Sequence, residues 1–145
     1  MANVKESVNV ELENISTVFI ELKKIKDKPN KTIVELAGIG AFLHNIYTGI
    51  ENVLKQILKF KGISIPISNS WHRDLLMLAS DKEIITEDTK KKLADYLAFR
   101  HFFVHAYGFL LDEQELKRLV DNIFETYSIF KEEIDAYLSK EEHRA

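Results

Sequence analysis

Apolar residues recur along this chain with the 3.6-residue spacing of helices, and they mark out five helical segments. The first runs from about Val8 to Asp27, with Ile15, Val18, Phe19, Leu22 and Ile25 on one stripe. Pro29 and Asn30 interrupt it. The second is long, from about Thr32 to Lys61, and its apolar face is broad: Leu36, Ile39, Leu43, Ile46, Tyr47, Ile50, Val53, Leu54, Ile57 and Leu58. Such a helix needs partners over much of its surface, as in a bundle.

Gly62 ends that helix as a glycine cap, and Ile63 to Asn69, around Pro66, reads as a loop. Ser70 is the expected cap of a short third helix, Trp71 to about Ser80, with Leu75, Leu76 and Leu78 as its apolar residues. Thr86 followed by Glu87 and Asp88 is a helix start, since a hydroxyl cap and first-turn acids both favour the positive end of the dipole. That fourth helix is expected to run to about Tyr107 and stop at Gly108. Asp112, with Glu115 three residues on, opens the fifth, which carries Leu116, Leu119, Val120, Ile123, Tyr127, Phe130, Ile134 and Leu138. No strand signal competes. The predicted fold is all-α: one domain spanning 1–145, an up-and-down bundle of four main helices plus one short helix. Residues 1–7 and 140–145 read as frayed ends, and the wide apolar faces leave surface for dimerisation.

Composition changes this picture little. A chain of 145 residues can bury a core, and 46% apolar with 30% charged residues is ordinary for a globular domain. No apolar run approaches the roughly 20 residues of a membrane span, and the N-terminus lacks the pattern of a secretion signal. Cysteine is absent, which excludes disulfides and thiolate metal sites and agrees with a cytoplasmic location. The net charge of −3 counts against a strong nucleic-acid binder, because phosphate contacts usually demand a basic excess. Local clusters exist nonetheless: Lys23, Lys24, Lys26, Lys28 and Lys31; Lys55, Lys59 and Lys61; and Lys90 to Lys92. Each is either a solvated helix face or one wall of a groove for an RNA backbone.

The chemistry is concentrated in Phe99-Arg100-His101-Phe102-Phe103-Val104-His105-Ala106-Tyr107-Gly108. At about 100° per residue, Arg100 and Tyr107 lie about 20° apart around the helix axis, and His101 and His105 about 40° apart. All four fall on an arc of roughly 160°. Phe102 lies outside that arc and is expected to pack inward; Phe103 borders it. Cleavage of RNA by its own 2′-hydroxyl needs these groups. A base takes the 2′-OH proton, an acid protonates the leaving 5′-oxygen, and a cation stabilises the phosphorane. Imidazole suits the first two roles, and the planar, permanently charged guanidinium suits the third. The scheme needs no metal and no cofactor, and a two-fold dimer would supply a second histidine.

The pattern Arg100-polar-x-x-x-His105-x-Tyr107 resembles the R-polar-x-x-x-H-x-Y motif of HEPN ribonucleases, specifically the HepT-like toxins. Gly40 to Ile57, Ser70 to Leu76 and Tyr96 to Asp112 also resemble HepT-like segments. The resemblance implies a homodimer whose two motifs face each other across a cleft, cutting RNA without metal to leave a cyclic phosphate. Arg100 and His105 then become the catalytic pair. His101 stands where the family more often has Asn or Asp, so its part in catalysis stays open. Tyr107 matches the tyrosine that a minimal nucleotidyltransferase antitoxin of the MntA type modifies with AMP. The rival expectation is a HEPN module without catalysis that partners a nucleotidyltransferase.

Plainer readings stand beside these. Arg100 could pair with a surface acid, and His105 could be a cation at a helix C-terminus. Tyr107 could be a packed aromatic. His101 and His105 could hold a metal, although no Glu lies between them in the HExxH manner. Trp71 and His72 are expected to anchor the loop to the bundle. His44, with Glu51 and Asn52 further along, is either a buried polar network or part of the cleft.

Overall fold

The computed structural model describes residues 2–106 and 111–144, and within them the chain forms five helices and no strand. These are α1 (Ala2–Ile25), α2 (Ile33–Phe60), α3 (Trp71–Asp81), α4 (Glu87–Ala106) and α5 (Glu113–Arg144). The expected stop at Gly108 lies outside the described residues. Successive long helices run antiparallel: Asn52 of α2 donates to Glu11 of α1, and Phe103 of α4 lies against Gly40 of α2. The result is the expected up-and-down bundle, with α3 packed across α2 and α4.

Both ends differ from the expected frayed segments. Helix α1 starts at Ala2 because Val4 and Val8 extend its stripe inward, and both are buried. Helix α5 runs to Arg144, where Glu141 is buried and pairs with Lys61 at the end of α2. A charged tail sequence gave no sign of that long-range partner.

The helix ends show the chemistry the sequence implies. Thr32 and Glu35 form a reciprocal capping box, with Glu35 N donating to Thr32 Oγ1 and Thr32 N to Glu35 Oε1. Gly62, at φ 73°, closes α2: its N–H reaches Lys59 O, and Ile63 N–H reaches Leu58 O. A side chain at that φ would be strained, which is why glycine sits there. Thr86 Oγ1 accepts from Thr89 N, and Asp112 Oδ1 accepts from Gln114 N, as expected of N-caps. Ser70 makes no side-chain cap. Ser68 takes over, accepting from Ser70 N and donating to Asp74. Glu115 does not return to Asp112, because Arg118 one turn on holds it in an ion pair.

Glu133 of α5 closes the N-terminus of α4 from outside, accepting from Thr86 N, Thr86 Oγ1 and Thr89 Oγ1. A carboxylate there also meets the positive end of the α4 dipole. Replacing Glu133 with alanine is expected to lower stability by about 1–3 kcal/mol in urea unfolding. An unchanged midpoint would contradict the assignment.

Lys28 beside Glu35 holds that carboxyl below its usual range, helped by the Thr32 backbone N–H; Lys90 does the same for Glu87, and Arg118 for Glu115. A carboxyl that binds protons less tightly when folded stabilises the fold above its unfolded pKa and ceases to as pH falls through the folded value. The melting temperature is therefore expected to hold down to about pH 5 and fall below about pH 4, by less in high salt. A flat profile to pH 3 would remove these pairs from the account.

Helix α2 is the centre of the molecule. It is long and apolar enough by composition to cross a membrane, a match that no uninterrupted apolar run in the sequence announced. Its apolar residues are instead spent on the bundle: Leu43, Ile46, Tyr47, Ile50, Val53, Leu54, Ile57 and Leu58 are all buried. Gly49 lets α1 close on it, since a Cβ there would lie 2.5 Å from Ile15 Cγ1.

Candidate active site

Helix α4 turns Leu93, Tyr96, Phe99 and Phe103 inward, at i, i+3, i+6 and i+10. Tyr96 is fixed by its hydroxyl, which donates to Leu119 O of α5 at 2.7 Å, and burial pushes that phenol's pKa up. Phe103 stacks on Phe99, faces His44 at 5.8 Å between ring centroids, and sits where a Cβ on Gly40 would be only 2.7 Å away. The absent side chain at Gly40 is what lets α4 approach α2 beside the motif.

Phe102, expected to pack inward, is exposed at 41%, and it is Phe103 that faces the core. Apolar residues encircle the last turns of α4, so their spacing alone does not say which face turns toward α2. The packing of α2 decides it.

Arg100 sits on the edge of the inward face, only partly exposed, with its Nε buried and without a hydrogen-bond partner. Its charge reaches the buried hydroxyl of Tyr47 on α2. No acid among the described residues forms an ion pair with Arg100, so the plain reading of a surface salt bridge does not apply. Arg118 is the contrast, engaged by both Glu115 and Asp95. His101 and His105 are both exposed, with ring centroids 4.6 Å apart. At about 140° from Arg100 around the axis, His105 points away from α2. Arg100 thus borders α2, while the two imidazoles stand together on the outer surface. Tyr107 lies outside the described residues.

Tyr47 adjoins a polar cluster on its own helix. Glu51, one turn beyond Tyr47, is 2% exposed, and its Oε2 meets His72 Nδ1 at 2.7 Å. His72 stacks on Trp71 at 3.6 Å, and Lys55 lies 4.3 Å from the Trp71 ring centroid. Trp71 and His72 do anchor the start of α3, as expected, and they do so onto α2. His44 makes no hydrogen bond among the described residues and packs against Phe103 instead. The sequence grouped Glu51 with His44 and Asn52; the structure gives Glu51 to His72 and Asn52 to Glu11. Nothing in the sequence singled out Tyr47, which reads there as one more apolar position.

Five lysines of the first and third clusters are taken up by nearby acids, while Lys61 of the second reaches Glu141 at the end of α5. Lys24 pairs with Glu21, Lys26 with Asp27, Lys28 with Glu35, Lys90 with Glu87 and Lys92 with Asp88. Lys23 and Lys26 both lie over the Phe124 ring. This is the pattern of solvated faces. No group of three or more His, Asp or Glu suited to a metal occurs among the described residues. A cavity of about 1150 Å³ lies between the end of α2, the α3–α4 connection and the end of α5. Thirteen residues of helix, about 20 Å, separate Glu87 on its wall from Arg100. A smaller groove of about 360 Å³ beside Phe102 is lined by Asp95, Asp112 and Glu115 against one cation, Arg118, which already pairs with Glu115 and Asp95, so its net charge is wrong for a phosphate.

Residues 38–140 match the family described as HepT-like protein, 103 of the 145 residues and the whole of the motif-bearing region. The chain is a HepT-like protein. It therefore belongs to the HEPN superfamily, whose HepT-like members are toxin or ribonuclease-type modules. No curated protein sequence matches this HepT-like chain. Among solved structures, it is similar to one titled a cytosolic protein of unknown function, YutE from Bacillus subtilis. The TM-score is 0.76 at 19% identity, over 94% of this chain and 92% of that one. At that identity the likeness speaks for the fold, the same helical bundle.

Proposed function

We propose that this HepT-like protein is a metal-independent endoribonuclease, the toxin half of a toxin–antitoxin pair, with Arg100 and His105 as its catalytic residues. The observation that carries the reading is a guanidinium with no carboxylate partner, accompanied at the end of α4 by two exposed imidazoles, His101 next to it in sequence and His105 about one and a half turns on. An arginine left without an acid is available to a phosphoryl oxygen. His105 serves as base or acid, and His101, 4.6 Å from it, tunes or shares that role. The 2′-oxygen attacks phosphorus, its proton passes to an imidazole, and the P–O5′ bond breaks as the leaving oxygen is protonated. The products are a 2′,3′-cyclic phosphate and a free 5′-hydroxyl.

The divergence of Arg100 and His105 around α4 is the reason the reading requires a homodimer. A second copy brings its own imidazole opposite the first guanidinium. Phe102 and Val104 flank the histidines and are exposed at 41% and 48%, which supports a surface covered by another chain. Tyr107, next but one to His105, is the proposed site of AMP transfer by an MntA-type nucleotidyltransferase. A bulky anion there would occupy Arg100 and exclude substrate. A cytoplasmic location agrees with the absence of cysteine and with the description of the similar solved structure as cytosolic.

Expression of the chain without a partner, followed by incubation of purified protein with RNA in EDTA, tests the reading. Growth arrest and metal-independent cleavage are expected. Harmless expression with intact RNA would favour a binding module without catalysis, which the locally paired lysines and the net charge of −3 also suit. An adenylyl mass increase on Tyr107 after co-expression with the nucleotidyltransferase tests the switch.

A further inference from the structure

Tyr47 presents a physical puzzle. It is wholly buried, among the largest fully buried side chains, and its hydroxyl has no hydrogen-bond partner. An orphaned hydroxyl in an apolar interior costs about 1–3 kcal/mol, and phenylalanine would fill the same space without that cost. Arg100 Nε is in the same condition, a buried donor without an acceptor. The two orphans belong to one cluster. The phenol feels the Arg100 charge from α4 and the Glu51 carboxylate from its own helix, and its ionisation is pushed up first by burial and then by Glu51.

We propose that Tyr47 and Glu51 are positioning residues for Arg100, a relay from α2 that holds the guanidinium by its Nε, with His72 locking Glu51 in place. This rests on the reading of Arg100 as the phosphate-binding cation. The chemistry follows from donor and acceptor types. Tyr47 has a proton to donate to Glu51 and a lone pair to accept from Arg100 Nε, so both orphans are satisfied once these side chains close the remaining gap to the hydroxyl. Glu51 is nearly sealed from solvent, and a buried carboxylate needs fixed partners. His72 Nδ1, at 2.7 Å, is the one already in place. His72 is itself clamped by Trp71, under Lys55. A guanidinium gripped at Nε keeps the edge formed by its two terminal nitrogens for a phosphoryl group, the bidentate geometry for which arginine is suited. Two rigid helices and a stacked indole thereby fix a long side chain that would otherwise sample many rotamers.

The test is the Arg100 Nε–H resonance in 15N-labelled full-length protein, assigned by its loss in Arg100→Lys. Tyr47→Phe removes only the hydroxyl and keeps the packing; Glu51→Gln removes the charge. Both are expected to move the resonance and to speed its hydrogen exchange by roughly tenfold, at retained helicity. In the cleavage assay kcat is expected to drop about tenfold with KM within a factor of about two, as for a group that orients without binding. An Nε–H signal and exchange rate unchanged in folded Tyr47→Phe would overturn the inference, whatever the cleavage assay shows. If Glu51→Gln fails to fold, Tyr47→Phe alone decides. If the resonance responds as expected but wild-type protein leaves RNA intact, the relay stands and the nuclease reading fails.

Discussion

Replacing Arg100 with alanine is expected to lower RNA cleavage by about 10²–10³-fold while the bundle stays folded. Removal of a preorganised donor from a developing phosphorane charge sets that magnitude. The fold should survive because Arg100 makes no ion pair or hydrogen bond to another described residue, and its Nε is an unsatisfied group whose loss relieves a cost. His105→Ala is expected to lose about 10²–10⁴-fold, the usual contribution of a general acid or base, and the exposed ring leaves no cavity behind. Lysine at position 100 should rescue little, since a point charge lacks the planar fork. Circular dichroism and sedimentation establish that each variant is folded and in the wild-type assembly state. A variant that loses cleavage together with its helicity would say nothing for a catalytic role and would return Arg100 to structure.

The largest expected effect on stability comes from Phe130→Ala. Phe130 on α5 is fully buried, next to Tyr127, whose own ring stacks on Phe19 of α1. Burial pushes the Tyr127 phenol up to about 12, and its hydroxyl donates to Leu12 O, so this part of α5 is tied to α1 by rings and by a hydrogen bond. Deleting a ring there leaves a cavity that stiff helices cannot close, at about 3–5 kcal/mol. Against a total of about 5–15 kcal/mol, that is enough to unfold a substantial fraction of molecules near physiological temperature. Thermal melting and urea unfolding should both report it. A loss below about 1 kcal/mol would show that α5 is not the closing wall of the core.

The fold was largely legible because the apolar spacing of α2 and α5 is long and one-sided. Thr32, Gly62, Thr86 and Asp112 mark helix ends with local chemistry that needs no tertiary knowledge. The ends of the chain were not, since Val4 and Glu141 owe their burial to residues far away in sequence. The site divides in the same way. Arg100, His101 and His105 are visible because polar groups at a helix end, amid aromatics, break the expected pattern. Their orientation was hidden, because Phe99, Phe102, Phe103 and Val104 encircle α4 and give no preferred face. Which of them turns inward depends on the gap that Gly40 leaves on α2. Tyr47, Glu51 and His72 escaped for another reason. Each is ordinary in its own segment, and only the crossing of α2, α3 and α4 makes them one cluster. Tyr107 is a sequence signal alone.

The decisive measurement is single-turnover cleavage of a defined single-stranded RNA in EDTA, with product ends resolved by mass spectrometry. Wild-type protein should yield fragments ending in 2′,3′-cyclic phosphate, and Arg100→Ala and His105→Ala, folded and assembled alike, should yield almost none. RNA left whole by the wild type, or cut as fast by both variants, would contradict the account.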